Sequence, residues 1–345
     1  MISFLNDYND LAHPRILEDM LALKDEPNPG YGMDAHCIKA TSYIKEILKD
    51  QDLDIHYIHG GTMANILAIK SALRPYEGII SCDSGHILGH ENGAIEASGH
   101  QIISVKNEDG KLTPHLLVEA LNANRHEYSV SPKMVYISNA TEFGTVYTRE
   151  ELQSLSNFCK MHGLYLYMDG ARLGTALASD YADYKIEDLV NLVDVFTIGG
   201  TKNGFLFGEA LVIVNSELKN GMRKLIKQRG AMLAKGFAAG IQFETMFKDG
   251  LYFDLAQKSV DLAKKLAQVF KDNAIELHSR QESNLVFPVI TRTLMNKLKE
   301  EFLFEEIEEL DEDRMVVRFV TRFNNSEDNI DKLDKFLKEQ NNNIL

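Results

Sequence analysis

Short apolar segments alternate with amphipathic stretches through the middle of this 345-residue chain. Several of the apolar segments contain almost no polar residue, which is typical of strands covered on both faces. The clearest helix between them begins at Thr148, where Glu151 completes a capping box, and ends at Gly163. The alternation predicts an α/β fold with a mainly parallel, doubly wound sheet. The strand candidates are 54–58, 79–82, 101–105, 134–138, 164–168, 195–198 and 210–214.

The pattern changes after about residue 245. We predict that the remaining segments form a smaller α/β domain in which the strands pair antiparallel. Its helices are expected at 252–272 and 291–301 and from Ser326 onward, and its strands at 285–290, 302–307 and 314–320.

Composition excludes several classes of partner. A formal net charge of −14 argues against nucleic acid and against an anionic membrane surface. No segment reaches the roughly 18 apolar residues of a membrane helix, and the first residues lack the positive charge of a signal peptide. The three cysteines, Cys37, Cys82 and Cys159, lie far apart, so we predict no disulfide framework and no metal site. We expect a cytoplasmic protein.

Polar residues and glycines follow five of the predicted strands. Ligands of open α/β sheets bind beyond the carboxyl ends of the strands, so we expect the binding site to be built from these segments. They are "HGGTMAN" (59–65), "DSGH" (83–86), "NATE" (139–142), "DGAR" (169–172) and "GGTKNG" (199–204).

The segment "GGTMAN" opens a predicted helix. Its two glycines and Thr62 would leave backbone N–H groups and a hydroxyl free to bind a phosphate at the positive end of the helix dipole. The alternative is that Thr62 is an ordinary N-cap. The Walker loop and the Rossmann glycine fingerprint are both missing, so the phosphate would belong to a group other than ATP or NAD.

Lys202 is surrounded by glycine rather than by polar residues. A desolvated lysine has a lowered pKa and attacks carbonyl groups, whereas the alternative is a solvated loop lysine. We attribute the neighbouring glycines to a bound ligand whose flat ring approaches the backbone closely. Asp169 follows another strand, with Arg172 three residues further on, and the two could form either a structural ion pair or part of a site.

Arg318 lies on an apolar strand face, because period-two alternation places it beside Val316 and Val320. An arginine there needs an anion, either a substrate carboxylate or the acidic segment just upstream across a hairpin. A phosphate-binding turn, a carboxylate, a nucleophilic lysine and this arginine are together what pyridoxal 5'-phosphate and an amino acid require. Lys202 would bind the cofactor covalently and Asp169 would keep its ring nitrogen protonated.

Five ordered motifs resemble the threonine aldolase and β-eliminating lyase family, which belongs to the aspartate-aminotransferase-like class of pyridoxal-phosphate enzymes (fold type I). They are "GGTMAN", "GHILGHENGAIEASG", "YMDGARLGTALA", "IGGTKNG" and "VVRFVT". The resemblance implies a large cofactor domain at 14–244 and a small domain built from 1–13 and 245–345. It also implies a homodimer or homotetramer whose subunits share active sites, in which Arg229 or Lys235 would reach a neighbour's phosphate.

The same resemblance assigns roles to residues of this chain. For the cofactor, Lys202 carries the covalent link, Gly61 and Thr62 hold the phosphate, Asp169 faces the ring nitrogen, Arg172 lies near the ring oxygen, His86 stacks on the ring and Glu91 supports His86. For the substrate, Arg172 and Arg318 bind the carboxylate, and Asn6 and Tyr31 line the substrate side. The family pattern has serine where Asn6 stands.

Glu142 stands where the family commonly has a histidine beside the substrate's β-hydroxyl. Retro-aldol cleavage needs a base at that hydroxyl, and the candidates are Glu142, His86, His90 or an ordered water. The predicted function is cleavage of threonine or allo-threonine to glycine and an aldehyde. The alternatives are β-elimination or transamination at the same site, or a non-catalytic ligand sensor with this fold.

Overall fold

The computed structural model describes residues 1–107 and 109–342. The strands are β1 (Ile2–Ser3), β2 (Asp54–Ile58), β3 (Glu77–Cys82), β4 (Ile102–Val105), β5 (Ser131–Ser138), β6 (Tyr165–Asp169), β7 (Val195–Gly199), β8 (Glu209–Ile213), β9 (Leu285–Val286), β10 (Val289–Thr291), β11 (Phe302–Leu303), β12 (Glu305–Glu309) and β13 (Arg314–Val320). The helices are α1 (Pro14–Ala22), α2 (Ala35–Leu48), α3 (Gly61–Ala72), α4 (His86–Gly89), α5 (Ala94–Ala97), α6 (Pro114–Ala123), α7 (Arg149–His162), α8 (Leu173–Leu177), α9 (Leu189–Leu192), α10 (Met222–Gln228), α11 (Phe237–Lys248), α12 (Leu251–Asp272), α13 (Arg292–Leu298) and α14 (Glu327–Asn342).

The large sheet has seven strands in the order β2-β8-β7-β6-β5-β3-β4. β8 runs antiparallel to both of its neighbours, and the other pairs are parallel. All seven strands predicted for this part of the chain are confirmed. Because only β8 is reversed, the carboxyl ends of the other six strands and the amino end of β8 meet at one edge.

Both faces of the sheet are covered, as the apolar strands predict. One face packs Val135 and Phe196 against helices that include α2, α7 and α11, and the other packs Tyr136 and Leu211 against α3 and α10. The doubly wound arrangement is confirmed. Burial on two faces explains why the central strands need no alternation of polar residues.

Helix α7 begins and ends as its sequence predicts. The Thr148 hydroxyl accepts a hydrogen bond from Glu151 N–H, and the Glu151 carboxylate accepts one from Thr148 N–H. Gly163 ends the helix in the left-handed conformation, at φ 65°. The capping box and the glycine therefore set the bounds of this helix locally.

The smaller sheet is antiparallel, as predicted, with β10, β13 and β12 adjacent and β9 also paired with β13. The segment predicted as one strand at 285–290 is divided into β9 and β10, because Pro288 has no N–H to donate. The two faces of β13 separate as predicted. Val316 and Val320 pack with Leu285, while Val317 packs in the core formed with α12 and α14.

The N-terminal segment joins this smaller sheet region. β1 pairs parallel with β11, Val320 N–H donates to Phe4 O at 2.8 Å, and Phe4 is fully buried in the core of β13 and α12. This packing supports grouping the segment with the small domain, although the boundaries at 14 and 245 stay a prediction. Within the described ranges every helix is too short or too polar to cross a bilayer.

Candidate active site

A cavity of about 230 Å³ opens at the edge where the strand carboxyl ends meet. Segments following β2, β3, β5, β6 and β7 all contribute to its wall, so the five motifs that the sequence singles out do converge. The predicted residues that line it are Gly61, Thr62, His86, Glu91, Glu142, Asp169, Arg172 and Lys202.

Lys202 projects into this cavity from the loop after β7. Burial, and next to it the positive charge of Arg172, lower the pKa of its ammonium group. The side chain is thus not the solvated loop lysine of the alternative interpretation. A lysine whose neutral form is favoured can act as a nucleophile toward a carbonyl group.

The structure gives a different reason from the expected one for the presence of glycine beside Lys202. A Cβ on Gly199 would lie 2.3 Å from Ala171 O, and one on Gly200 would lie 2.6 Å from Gly208 O. The expectation that these glycines make room for a ring is therefore wrong, because backbone from neighbouring loops fills that space. Open space lies instead beside Gly60 and Gly61, where no atom comes within 4 Å of a built Cβ.

Helix α3 presents its first turn to the cavity. Gly60 is the N-cap residue and accepts a hydrogen bond from Ala64 N–H at 3.1 Å. The N-cap interpretation of Thr62 is wrong, because Thr62 lies inside the first turn. The hydroxyl of Thr62 and the unpaired N–H groups of the turn line the cavity, where they can bind an anion.

Asp169 is held by neutral donors. Its Oδ2 accepts from Tyr136 OH at 2.8 Å and from Asn65 Nδ2 at 3.1 Å, and its Oδ1 accepts from Ala171 N–H at 2.9 Å. Tyr167 OH in turn donates to Asn65 Oδ1 at 2.5 Å. Of the two alternatives for Asp169, the structural ion pair with Arg172 does not form, because Arg172 pairs with Asp7, and the carboxylate instead lines the cavity.

His86 forms a hydrogen bond with a buried carboxyl group. Its Nδ1 lies 2.9 Å from Glu91 Oε1, which also accepts from Asn65 Nδ2 at 2.7 Å. Burial lowers the pKa of His86, but the hydrogen bond to Glu91 and the nearby Glu142 and Asp169 charges outweigh burial and raise it overall. His86 therefore holds a proton over a wider pH range than a solvated histidine.

Arg172 finds its partner in the N-terminal segment. Its Nε and Nη2 donate to Asp7 at 2.7 and 3.1 Å, and Asn284 Nδ2 donates to the same carboxylate at 3.0 Å. Burial works against ionisation of Asp7, yet Arg172 and Lys202 hold its pKa down to about 2. The bidentate pair fixes the guanidinium at the cavity wall.

A second, wider cavity of about 690 Å³ continues outward and shares His86, Glu142, Arg172 and Lys202 with the first. Arg318 lines it and donates through Nη2 to Glu305, its cross-strand neighbour in β12. Of the two partners that the sequence allowed for Arg318, the acidic segment upstream is the one that the structure shows. The Nε of Arg318 is buried without a hydrogen-bond partner among the described residues, so the arginine retains a donor.

Glu142 lines both cavities, which places a carboxylate at their junction. His90 lines the outer cavity, with its ring centroid 5.5 Å from that of His86. The three residues named as candidate bases, Glu142, His86 and His90, therefore all line the outer cavity. Asn6 does not line it.

Four further residues to which the resemblance gives a role lie outside these two cavities of this chain. Asn6 caps the backbone of Tyr8 through its amide oxygen at 3.1 Å and is absent from both cavity walls, so its role on the substrate side stays a prediction. Tyr31 lies with Arg223 in a separate surface pocket. Arg229 and Lys235 likewise do not line this chain's cavities.

Residues that the sequence analysis missed complete the site. Asn65 lies within "GGTMAN" and Asp7 directly follows Asn6, to which the resemblance gives a role, so position in the sequence was a signal for both. Tyr136 and Tyr167 look like ordinary strand residues, and Glu209 looks like the start of a strand. Nothing in the local pattern marks these last three.

The donor set fits pyridoxal phosphate. The open space beside Gly60 and Gly61 has room for a phosphate, Lys202 offers an amine, and Asp169 offers a carboxylate that forms no ion pair with the described residues. Glu91 supports His86 through Oε1, while its Oε2 is buried without a partner among the described residues.

Comparisons with known proteins agree with this geometry. The family model of the β-eliminating lyases matches residues 11–293. The low specificity L-threonine aldolase of Pseudomonas sp. (strain NCIMB 10558) is 30% identical over 272 residues, 78% of each chain. The counterpart in Candida albicans is 25% identical over 245 residues, 66% of this chain and 61% of that protein.

Solved structures extend the comparison to the whole fold. Leishmania major threonine aldolase superposes with a TM-score of 0.97 and 44% sequence identity, covering 99% of each chain. The histidinol-phosphate aminotransferase of Clostridium acetobutylicum shares the fold at a TM-score of 0.72 and 15% identity, covering 99% of this chain and 100% of that one. The predicted aminotransferase-like fold is confirmed, and the chain belongs to the β-eliminating lyase family.

Proposed function

We propose that this chain is a pyridoxal-phosphate-dependent lyase that cleaves threonine or allo-threonine to glycine and an aldehyde by retro-aldol reaction. The observation that carries the proposal is Lys202 at the junction of two cavities, with Asp169 lining the inner cavity and Arg172 lining both. The relatives named as threonine aldolases, at 30% and 44% identity, support the substrate class.

The inner cavity would hold the cofactor. Lys202 would bind it through the side-chain amine, Gly61 and Thr62 would bind its phosphate, and Asp169 would hold a proton at its ring nitrogen. His86 would lie over the ring, supported by Glu91. Bound pyridoxal phosphate supplies a cationic ring that accepts the electron pair left at the α-carbon when the Cα–Cβ bond breaks.

The outer cavity would hold the amino acid. Arg318 keeps an unpaired Nε, and Arg172 has its Nη1 outside the bidentate pair with Asp7, so both can bind the substrate carboxylate. The amino group of the substrate is then directed toward Lys202. The β-substituent extends into the wider outer space near His90 and Phe143.

Glu142 would remove the proton of the β-hydroxyl group. It lies at the junction of the cavities, where the Cα–Cβ bond of a bound amino acid would be positioned. Retro-aldol cleavage requires this proton transfer, and a positioned base typically contributes a factor of about 10²–10⁴ to the rate. His86 and His90 are the alternatives for the same role.

The test is a product assay on purified protein. Threonine and allo-threonine are expected to yield glycine and acetaldehyde, whereas β-elimination from serine would yield pyruvate and ammonia. Glu142→Gln should lower retro-aldol turnover about 100-fold or more. Glu308→Gln, which removes a carboxylate outside both cavities, is the control. Absence of glycine from every β-hydroxy amino acid would exclude the proposed reaction in favour of the elimination.

We also propose that the protein acts as a homodimer or homotetramer with shared active sites. Tyr31, Met33 and Ile38 are exposed apolar residues close together in the sequence, and a second copy could cover them. Tyr31 and Arg229 would then face a neighbour's site. Sedimentation at several protein concentrations tests this, and a monomer at all of them would contradict it.

A cytoplasmic location completes the proposal. Cys37, Cys82 and Cys159 are all buried free thiols, which suits a reducing compartment. Localisation of a tagged protein by microscopy and cell fractionation tests this part independently of activity.

A further inference from the structure

The inner cavity contains one buried carboxyl group that the proposed mechanism does not use. Glu209 opens β8, where it pairs with Ile58 of β2 on one side and with Gly199 of β7 on the other. Ile58 directly precedes the phosphate-binding turn, and Gly199 directly precedes the Lys202 loop. Glu209 therefore lines the cavity between the two segments proposed to hold the cofactor.

Glu209 forms a hydrogen bond with the backbone of the loop that carries Lys202. Its Oε2 accepts a hydrogen bond from Gly200 N–H at 3.0 Å, and the Thr201 hydroxyl lies beside the same carboxyl group. The loop closes on the start of β8 through further bonds, since Gly200 N–H and Thr201 N–H donate to Gly208 O at 3.1 and 3.2 Å. A change in the charge of Glu209 would therefore alter a hydrogen bond to the loop that carries Lys202.

The other buried acids of the site differ from Glu209 in their partners. Asp7 is paired with Arg172, Glu91 with His86, and Asp169 accepts hydrogen bonds from three donors. Within the described residues Glu209 has no ion-pair partner within 4 Å, and its charged form is stabilised only by the Gly200 amide, the Thr201 hydroxyl and the more distant charge of Lys202. Burial consequently raises the pKa of Glu209 to about 7.

The charged and titratable groups around Glu209 do not offset the increase in its pKa that burial causes. Lys202 lowers the pKa of Glu209, Asp169 raises it, and Tyr167 and Tyr252 are neutral phenols whose own pKa values burial raises. His59, from the turn after β2, lines the same cavity. Among these groups, Glu209 is the acid that can gain a proton most readily near neutral pH.

We propose that Glu209 is a positioning residue that takes up a proton when the phosphate of the cofactor enters, so that cofactor affinity falls as the pH rises above neutrality. The inference rests on the proposed function in one respect, the identity of the cofactor. Two anions in one poorly solvated cavity repel each other, and protonation of the less stabilised one removes the repulsion. Neutral Glu209 keeps its hydrogen bond from Gly200 and leaves the loop in place.

Binding of pyridoxamine 5'-phosphate to the cofactor-free protein tests the proposal. This probe carries the phosphate but cannot condense with Lys202, so the affinity reports on the cavity alone. In wild type, the dissociation constant should rise by up to about tenfold per pH unit above pH 7, beyond the rise seen in Glu209→Gln. Glu282→Gln is the control, because Glu282 is a buried acid outside the cavity that accepts from Val146 N–H at 2.8 Å; its profile should follow wild type.

Either of two measurements can overturn the proposal. Parallel pH profiles for wild type and Glu209→Gln would show that the charge of Glu209 plays no part, and a uniform loss of affinity would show a purely structural role. Infrared difference spectroscopy of wild type at pH 8 needs no variant. A protonated-carboxyl band should appear on binding the probe, and its absence would contradict the proposal. If neither pyridoxal nor pyridoxamine phosphate binds at any pH, the proposed function fails as well.

Discussion

At the residue scale, the two arginines of the site differ in how firmly their resident carboxylates are held. Asp7 is 1% exposed, makes two bonds to Arg172 and takes a third from Asn284. Glu305 is 44% exposed and touches Arg318 through one nitrogen. Exposed pairs contribute about 0–1 kcal/mol, whereas removing one partner from a buried pair costs about 3–5 kcal/mol. Asp7 is therefore a fixed support, and Glu305 can be displaced by a substrate carboxylate.

Glu305→Gln should strengthen substrate binding. Removal of the competing charge frees Arg318, so KM for threonine should fall by up to about fivefold while kcat changes little. Steady-state kinetics measures both constants. Glu308→Gln removes a neighbouring charge from the same strand outside the cavity and should leave KM as it is. An unchanged KM in Glu305→Gln would show that Glu305 does not compete with substrate.

Asp7→Asn should destabilise the protein and weaken substrate binding. The variant leaves Arg172 buried with a neutral partner, so the free energy of unfolding at pH 7 should fall by about 3–5 kcal/mol. The contribution of Asp7 is fully present above its unfolded pKa of 3.8 and is lost as the pH falls toward 2, so the difference from wild type should shrink in acid.

Urea unfolding at several pH values measures this difference. Asp10→Asn is the matched control, because Asp10 pairs with Arg322 on the same segment but outside both cavities. A loss in Asp7→Asn that stays constant down to pH 2 would contradict the assigned pKa.

At the element scale, the ends of β6 and β7 are packed backbone against backbone. A Cβ on Gly170 would lie 2.0 Å from Thr197 O, and Gly199 is equally confined by Ala171. This close approach brings the loop of Asp169 next to the loop of Lys202. The glycines thus set the spacing of two functional residues although neither glycine lines the cavity.

Gly199→Ala should therefore lower stability by about 1–3 kcal/mol or more, because the methyl group overlaps Ala171 O and neither backbone can move freely. The displaced Lys202 loop should also weaken pyridoxal-phosphate binding, measured by the visible absorbance of the complex. Gly89→Ala is the control, since nothing lies within 4 Å of a Cβ built there. Equal stability of both variants would show that the strand ends are not tightly packed.

At the scale of the whole molecule, the first thirteen residues tie the two sheets together. Phe4 is buried beside Phe319 of the small sheet, Asp7 reaches Arg172 in the cavity, and His13 N–H donates to Gly204 O near Lys202. A segment with contacts on both sides couples the stability of the two regions to the geometry of the site.

Phe4→Ala should test this coupling. Loss of the buried ring should lower the free energy of unfolding by about 3–5 kcal/mol, and it should shift the unfolding of both regions in one transition. Leu11→Ala, at a residue 66% exposed, is the control and should change stability by less than about 0.5 kcal/mol. Two separate transitions, with only one of them shifted, would contradict coupling through this segment.

Much of the fold followed from periodicity. Uniformly apolar strands between capped helices can bury both of their faces only in a covered sheet, and the antiparallel small sheet followed from alternation such as that around Arg318. The main site residues followed from topology, because parallel strands bring their carboxyl ends to one edge. Motif order added the roles proposed for His86 and Glu91.

Other features depended on contacts between distant parts of the chain. The partner of Arg172 lies 165 residues away at Asp7 rather than three residues away at Asp169. Tyr136 reaches Asp169 across a strand pair, and nothing local distinguishes it from other core tyrosines. Tyr31 matches a position of the family pattern but lies outside this chain's cavity, because its position depends on packing against α10 and the loop before α11.

The sequence by itself determined the strands, the capped helices and the set of reactive side chains at the strand ends, because these depend on local periodicity and on the chemistry of each residue. Only the tertiary structure decided which charges meet, why Gly199 and Gly200 are glycines, and that Glu209 is buried with no ion-pair partner in the described part of the chain. Those features arise from distances between segments far apart in the chain, and a pKa or an ion pair is determined by such distances and by burial.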